Sequence, residues 1–320
     1  VKSTLHQYLN VMYSRFTALQ EYREEHQKRL EESTVAVVGL GATGSAIAEN
    51  LARHGVDLIL VDRDYLERKD VYSSGLYNPV QCKNSLPKAE ASKKILGTFT
   101  EVEAYSTSLN GQNIDLVSSA DLLMDGTDNL EARQVLNDFS KKEDVPWIYT
   151  AAIADTAYSM LFEEKCFNCM IEKPQQVATC ETDGILREVS QIAAAKSTKK
   201  AVEFLTGKNV DESLEVLPEG RVLDVETSGC EVCSRRNYPH LEKSSSVSTV
   251  CGDGKYQLKI DFDFDQAKNI DAGEVKAENG YLVRINFGGR DVAFFNSGRV
   301  IVEAEDEGHA ESTVSELLGI

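Results

Sequence analysis

The chain of 320 residues is long enough for one large domain, or for a large domain followed by a small one. Hydrophobic residues make up 42% of it, yet no apolar run approaches the ~18 residues of a membrane span, so we expect a soluble protein without a membrane partner. The formal net charge of −18 argues against nucleic acid as a partner, because phosphate backbones are bound by Lys and Arg.

The first segment, residues 1–32, is predicted to be helical from 5 to 32, because apolar residues recur there at three- and four-residue steps. It lacks the apolar core of a secretion signal, so we expect a cytoplasmic protein. Between 33 and 240, strands and helices alternate, which indicates an α/β fold with a doubly wound, mostly parallel, Rossmann-like sheet. The predicted strands are 35–39, 57–61, 101–107, 120–124, 146–151 and 157–162, and the predicted helices are 44–54, 87–97, 129–141 and 184–206.

The C-terminal part of the chain is predicted to form a separate domain. Residues 240–250 are predicted to be a linker, because serines and charged residues dominate them. Residues 251–320 are predicted to form a small α+β domain. Its predicted strands are 255–262, 281–287, 291–295 and 299–303, followed by a helix over 308–318.

A glycine-rich turn follows the first predicted strand, where Gly39, Gly41 and Gly44 form the pattern G-x-G-x-x-G. Glycines let the backbone approach a phosphate, and the next helix presents free N–H groups and the positive end of its dipole. Asp62 follows the second predicted strand, where an acid binds ribose hydroxyls. The turn predicts a nucleotide site but leaves NAD, FAD and ATP open, and the alternative is a tight connection without a ligand.

Two acids, Asp125 and Asp128, follow the predicted strand 120–124, at the edge where open α/β sheets bind ligands. Two carboxylates there suit a hydrated Mg²⁺ beside a triphosphate, which hydride transfer does not need. The alternative is that Asp128 and Asn129 only cap the next helix. Lys88, at the start of helix 87–97, could reach phosphates as a point charge or could be an ordinary surface lysine.

Four of the seven cysteines form two C-x-x-C pairs, Cys166 with Cys169 and Cys230 with Cys233. Two such pairs supply the tetrahedral four-sulfur site that Zn²⁺ prefers and leave no position open, so we predict a structural zinc site. The alternatives are a redox pair or unrelated thiols. Because the pairs are far apart in the chain, the metal would join distant segments.

Taken in order, these motifs resemble the ThiF/MoeB/ubiquitin-activating family of adenylyltransferases, over residues 12 to about 236. The glycine turn resembles the family's glycine loop, and the cysteine pairs resemble its zinc site. Tyr13-Ser14-Arg15 resembles the family's R-Y-S-R-Q, and Asp62-Arg63-Asp64 resembles its D-x-D. Pro87-Lys88-Ala89 resembles the segment that places a lysine at a helix start. Asp125-Gly126-Thr127-Asp128-Asn129 resembles the family's D-x-T-D-N.

The resemblance implies an enzyme that uses ATP and Mg²⁺ to adenylate the C-terminal glycine of a small ubiquitin-like or sulfur-carrier protein ending in Gly-Gly. It implies a homodimer in which Arg15 reaches the partner subunit's ATP, Lys88 stabilises phosphate charge and Asp128 handles magnesium. The nucleotide contacts that it implies are Gly39, Gly41, Gly44, Asp62, Asp64, Lys88, Asp125, Asp128 and Asn129.

One segment departs from the family pattern V-E-x-S-N-L-x-R-Q that follows D-x-D. Here the family's asparagine falls on Asp70, and the arginine that neutralises triphosphate charge falls on Ser73. Arg68 or Lys69 could substitute for that arginine from a shifted position. Otherwise ATP would bind more weakly, or the substrate would differ from the usual one.

Cys180 lies in a segment that resembles the family's T-C-x-x-x-G-V-L. A thiol just before the predicted helix 184–206 would have its pKa lowered by the helix dipole and become a better nucleophile. The resemblance implies a role that ranges from thioester or persulfide formation to none, and the alternative is an inert buried thiol. A long loop around 170–183 would bring Cys180 to the adenylate.

Two other functions remain compatible with the sequence. A nicotinamide-dependent oxidoreductase would explain the glycine turn and Asp62, but neither the acids after strand 120–124 nor the four thiolates. A family member that binds a carrier protein but has lost its ATP activity would explain Ser73.

Overall fold

The computed structural model describes residues 12–171, 184–227, 229–242, 247–250 and 254–319. These residues form an eight-stranded sheet and a six-stranded sheet. No helix within the described ranges is both long and apolar enough to cross a membrane.

The larger sheet confirms the predicted doubly wound α/β fold. Its spatial order is β3-β2-β1-β4-β5-β6-β7-β8, parallel as far as β5 and antiparallel from β6 onward. Its strands are β1 (Thr34–Val38), β2 (Asp57–Val61), β3 (Val102–Tyr105), β4 (Leu122–Asp125), β5 (Trp147–Ile153), β6 (Thr156–Phe162), β7 (Leu214–Leu217) and β8 (Arg221–Leu223). The last two are absent from the sequence prediction, because each is too short to show a period.

Helices cover both faces of this sheet. Val35 and Val37 of β1 belong to one core, whereas Ala36 and Val38 belong to the core on the other face, which is why the strand is apolar throughout. The helices are α1 (Ser14–Thr17), α2 (Glu24–Glu31), α3 (Ala42–Arg53), α4 (Arg68–Ser73), α5 (Pro79–Lys83), α6 (Lys88–Leu96), α7 (Leu130–Glu143), α8 (Phe167–Ile171), α9 (Arg187–Leu205), α10 (Glu231–Arg235) and α11 (Pro239–Glu242).

The predicted helix over 5–32 is wrong in its middle, since α1 and α2 are separate; residues 1–11 lie outside the described ranges. The chain turns back between them, so that Tyr22 packs on Phe16 with ring centroids 4.6 Å apart. Arg23 then adopts an extended conformation, and its N–H donates to Nδ1 of His26 at 3.0 Å, which starts α2 afresh.

Helix α9 starts at Arg187, three residues later than predicted. Val189, Ala193 and Val202 are buried as its apolar spacing predicts, whereas Ile192 is exposed. Most of the other buried residues are small or carry a hydroxyl, and Ser197 accepts a hydrogen bond from Thr150 of β5 at 2.8 Å. Small side chains allow α9 to pack closely against β5, β6 and α3.

The smaller sheet has the order β11-β12-β13-β14-β10-β9 and is antiparallel. With its two helices it forms what we call the C-terminal unit, residues 247–319. Its elements are β9 (Val247–Val250), β10 (Lys255–Lys259), α12 (Phe264–Lys268), β11 (Glu274–Glu278), β12 (Leu282–Phe287), β13 (Arg290–Phe295), β14 (Arg299–Glu303) and α13 (Glu307–Leu318). The predicted linker over 240–250 is therefore wrong at both ends, because α11 reaches Glu242 and β9 begins at Val247.

The strand register brings the predicted site segments together. Val38 of β1 pairs with Val61 of β2 on one side and with Asp125 of β4 on the other. The residues that follow, Gly39, Asp62 and Gly126, therefore emerge side by side at the carboxyl edge. The chain order reverses between β1 and β4, which is where an open α/β sheet forms its ligand crevice.

Candidate active site and metal centre

The glycine turn is held by very close backbone contacts. Gly39 has a φ of +85°, and a Cβ built on it would lie 2.7 Å from the Gly126 carbonyl carbon. A Cβ on Gly44 would lie 1.9 Å from the Gly39 carbonyl oxygen. These two glycines are therefore required for packing, in addition to any role in binding.

Gly41 differs from the other two glycines of the turn. A Cβ built on it would have no described atom within 4 Å, and the residue is the N-cap of α3. The first N–H groups of α3 thus begin beside open space at the crevice. A helix N-terminus of this kind attracts a phosphate through its unpaired N–H groups and its dipole.

Asp62, which follows β2, connects this strand to the glycine turn through a hydrogen bond. Its Oδ2 accepts the Leu40 N–H at 2.6 Å, and its Oδ1 accepts the Asp64 N–H at 2.7 Å. Burial raises the pKa of Asp62 to about 6, against the lowering effect of Lys88. Each carboxylate oxygen keeps one acceptor position, so Asp62 both shapes the turn and can accept a ribose hydroxyl.

Lys88 lies at the start of α6, and its side chain faces the carboxylates of Asp62, Asp64 and Asp70. Its Nζ is 3.1 Å from Oδ1 of Asp70 and 4.0 Å from Oδ2 of Asp64. Burial opposes the charged form, but Asp70, Asp64 and Asp62 together raise the pKa of Lys88 well above its usual value. Lys88 is therefore a permanent cation in contact with Asp70.

The acids after β4 have distinct surroundings. Asp125 is fully buried: Oδ2 accepts Nε of Arg133 at 2.8 Å, and Oδ1 accepts the Thr127 N–H and hydroxyl at 2.9 and 2.6 Å. Both oxygens of Asp125 thus shape the loop, and its contact with the nucleotide stays a prediction. Asp128 is exposed, and Asn129 caps α7 by accepting the Ala132 N–H at 2.8 Å.

The four paired cysteines converge, as predicted. Their sulfurs lie within 4.8 Å of one another, with Cys166–Cys230 at 3.7 Å and Cys169–Cys233 at 3.6 Å. Sulfurs about 2.3 Å from a tetrahedral Zn²⁺ are about 3.8 Å apart, so the spacing fits zinc and is too long for disulfides. Burial raises the pKa of the Cys166 thiol, and a divalent cation would offset the charge of four thiolates.

Comparison with known proteins decides the family. The model of the ThiF family matches residues 13–237. This chain belongs to the ThiF family. It is 26% identical to the sulfur carrier protein ThiS adenylyltransferase of Bacillus subtilis, over 96% of this chain and 99% of that protein. It is 28% identical to the SAMP-activating enzyme E1 of Haloferax volcanii, over 79% of this chain and 92% of that protein.

Other relatives are longer. The chain spans about half the length of the adenylyltransferase and sulfurtransferase MOCS3-2 of Zea mays, with 27% identity over 78% of this chain and 52% of that protein. Among solved structures, E. coli MccB with ATP has a TM-score of 0.57 and 18% identity, over 65% of this chain and 68% of that chain. This last likeness confirms the fold alone.

Arg15, which belongs to the first of the segments that resemble ThiF motifs, lies outside the crevice. Arg15 is exposed on α1, where Phe16 packs on His54 at the far end of α3 with ring centroids 5.3 Å apart. Because α3 has twelve residues, about 18 Å separates that end from the glycine turn. Arg15 thus lies far from the crevice of its own chain.

The two candidates for replacing the missing arginine also lie elsewhere. Arg68 lines a cavity of about 660 Å³ between α4 and the C-terminal unit, and Nζ of Lys69 is 3.3 Å from Oε2 of Glu67. Arg68 is on the side of α4 opposite Asp70, since two residues on a helix are about 200° apart. Replacement of the family's arginine by Arg68 or Lys69 stays a prediction.

Cys180 lies outside the described residues, and its role stays a prediction. Helix α9 begins at Arg187, three residues after the predicted start.

The glycine contacts predict that Gly44→Ala destabilises the protein, by about 3 kcal/mol, because the new methyl would overlap the Gly39 carbonyl. Gly41→Ala is the matched control, since its methyl would enter open space. We expect Gly41→Ala to keep its unfolding free energy and to weaken nucleotide binding. Denaturant unfolding and ATP titration measure both; equal stability of the two variants would contradict the packing role.

The cysteine geometry predicts about one zinc per chain, lost in Cys230→Ser together with about 4 kcal/mol of stability, because metal binding is coupled to folding. Cys82→Ser is the control, since Cys82 lies outside the cluster. Metal analysis and thermal unfolding are the measurements. A zinc-free wild type, or equal zinc content in both variants, would refute the site.

Proposed function

We propose that this protein uses ATP to adenylate the C-terminal glycine of a small ubiquitin-like or sulfur-carrier protein ending in Gly-Gly. The observation that carries the proposal is the arrangement at one sheet edge of the open turn at Gly41, the buried cation Lys88 and the exposed carboxylate Asp128. The similarity to the B. subtilis ThiS adenylyltransferase and the H. volcanii SAMP-activating enzyme E1 supports the same reaction. Membership of the ThiF family does not support a nicotinamide-dependent oxidoreductase.

The reaction needs positioning and charge stabilisation more than acid–base chemistry. A carboxylate oxygen of the carrier attacks the α-phosphorus of ATP in line, and the bond from that phosphorus to the bridging oxygen breaks. Pyrophosphate leaves with the electron pair. In this scheme the N–H groups after Gly41 orient the phosphates, Asp62 accepts a ribose hydroxyl, and Lys88 moves from Asp70 to the phosphates as charge develops.

Asp128 is the residue that fits magnesium, since it is exposed at the edge where Asp125 is already engaged. Protein-bound Mg²⁺ commonly uses one or two carboxylates together with substrate phosphates. The bound ion would neutralise charge on the phosphates. Asp125 acts indirectly, by holding Arg133 and Thr127 and thereby the loop that carries Asp128.

The position of Arg15 supports a homodimer. If Arg15 contacts ATP, as the resemblance implies, that ATP belongs to a partner subunit, because Arg15 lies beyond the far end of α3.

The contact between Lys88 and Asp70 predicts that substituting the two residues has opposite effects on carrier-dependent pyrophosphate exchange. Lys88→Ala should abolish exchange, removing about 3 kcal/mol of phosphate stabilisation. Asp70→Asn should lower the KM about tenfold, because Lys88 is freed while the amide oxygen still accepts the Glu67 N–H. Lys93→Ala, an exposed lysine of the same helix, is the control. Normal exchange in Lys88→Ala would place the nucleotide elsewhere.

The composite site predicts complementation between two inactive variants. Arg15→Ala and Asp128→Ala should each lose exchange, and an equal mixture should regain about one quarter of wild-type activity, because half of the dimers are mixed and each has one intact site. Each variant alone, at the same total concentration, is the control. Full activity of Arg15→Ala, or a mixture as inactive as its components, would refute the shared site.

The role of Cys180 is tested separately from adenylation. If the Cys180 thiolate attacks the carbonyl carbon of the carrier's adenylate, a thioester forms and AMP leaves; Cys180→Ala then keeps exchange and loses this thiol-sensitive conjugate with the carrier. Reducing and non-reducing gels after incubation with carrier, ATP and magnesium make the measurement, with Cys82→Ala as control. A conjugate that persists in Cys180→Ala leaves the protein as an adenylyltransferase only.

A further inference from the structure

The C-terminal unit makes contact with the turn that carries Asp62 and Asp64. Tyr65, the next residue, is 4% exposed and packs among Leu282, Phe295 and Ile301 of the smaller sheet. The ring centroids of Tyr65 and Phe295 are 6.4 Å apart. The chain that leaves the nucleotide edge is thus anchored at once in the second core.

Arg299, the first residue of β14, makes a more direct contact. It is 6% exposed, and its Nη1 donates to the carbonyl oxygen of Arg63, the residue between the two aspartates. Its guanidinium lies over the Phe295 ring, 3.8 Å from the centroid, and Nη1 also donates to Oε1 of Gln257 at 3.2 Å. Its Nε and Nη2 are buried without a hydrogen-bond partner among the described residues.

The electrostatics place this guanidinium among the same carboxylates. Burial lowers the pKa of Arg299 to about 10, with Asp64 and Asp62 acting against the fall, so the side chain is charged at neutral pH. Burial would raise the pKa of Asp64, but nearby cations outweigh it and lower that pKa. These cations are Lys88, Arg63, Arg299 and Lys255, of which the last two come from the C-terminal unit.

Burying a guanidinium with two unpartnered nitrogens between the two sheets carries a desolvation penalty. An apolar side chain would pack there without that penalty. What Arg299 adds over an apolar residue is a fixed hydrogen bond to one main-chain carbonyl and a charge beside two carboxylates. Both the hydrogen bond and the charge act on the Asp62–Asp64 turn. This turn makes two further hydrogen bonds: Asp62 accepts the Leu40 N–H, and the Asp64 carbonyl accepts the Lys88 N–H at 2.9 Å.

We propose that Arg299 is a positioning residue of the nucleotide site: from the C-terminal unit it fixes the Asp62–Asp64 turn, so that Asp62 is aligned for the ribose. The role of Arg299 in ATP binding rests on the adenylation proposed above, whereas its effect on the conformation of the turn does not. Arg299 touches no reacting atom, and it makes the C-terminal unit part of the ATP site.

The test compares Arg299→Gln and Arg299→Lys with Val300→Ala. Val300 is the next residue of β14 and is buried in the core with α13, so its truncation weakens the C-terminal unit without removing the Arg63 contact. Amide hydrogen exchange at Asp64, whose N–H is bonded to Asp62, measures the turn directly. The KM for ATP and kcat of pyrophosphate exchange measure its consequence.

We expect Arg299→Gln to speed amide exchange at Asp64 about tenfold and to raise the KM for ATP about tenfold with kcat within about twofold, because a ribose contact contributes equally to ground and transition states. Arg299→Lys should recover part of both effects. Val300→Ala should lower the melting temperature and change neither.

Unchanged amide exchange and unchanged KM in Arg299→Gln would overturn the proposal. An equal rise of the KM in Val300→Ala would overturn it as well, since the effect would then be general destabilisation. Faster amide exchange at Asp64 in a protein whose wild type shows no pyrophosphate exchange would support the positioning and overturn the adenylation instead.

Discussion

The structure depends on a place where three backbones touch without side chains between them. Gly39, Gly44 and Gly126 are so close that a Cβ on any of them would come within 3 Å of a neighbouring backbone atom. This contact lets α3 start directly above the ends of β1 and β4, with its first N–H groups at the crevice. The phosphate cradle is therefore a consequence of strand-end packing, and only Gly41 is free of that constraint.

Around this contact the protein concentrates opposite charges in a small buried volume. Lys88 faces three carboxylates, and Asp62 and Asp70 also accept main-chain N–H groups, so each charge is both paired and fixed. An arrangement of this kind is strongly destabilised by removal of one partner, because the remaining charge is left uncompensated. Relative to the family pattern, Asp70 adds a negative charge beside Lys88, with Oδ1 3.1 Å from Nζ.

The sequence predicted those parts of the protein that local patterns determine. The apolar runs of β1 and β2 identify buried parallel strands, and the spacing within the pairs at Cys166 and Cys230 identifies a four-sulfur cluster. Glycine spacing located the turn, although it did not separate the packing glycines from Gly41, since that difference depends on contacts with a distant strand.

The missed features depend on long-range contacts. Asp125 has the same sequence context whether its oxygens are free or engaged, and only the fold brings Arg133 to it. Arg299 shows no signal at all, because the carbonyl that it binds lies 236 positions away in the chain. The loop over 18–23 follows from aromatic packing on Phe16, which outweighs the helical periodicity on either side.

The central claim is that ATP is consumed to modify a carrier's C-terminal carboxylate. The most direct measurement is the intact mass of small Gly-Gly-terminated proteins from the source organism after incubation with this protein, ATP and magnesium. The account predicts that one such protein gains a single adenylyl group, with an equal amount of pyrophosphate released, and that deleting its last glycine abolishes both. Pyrophosphate release that does not depend on the terminal glycine, or no adenylyl group on any of these proteins, would contradict it.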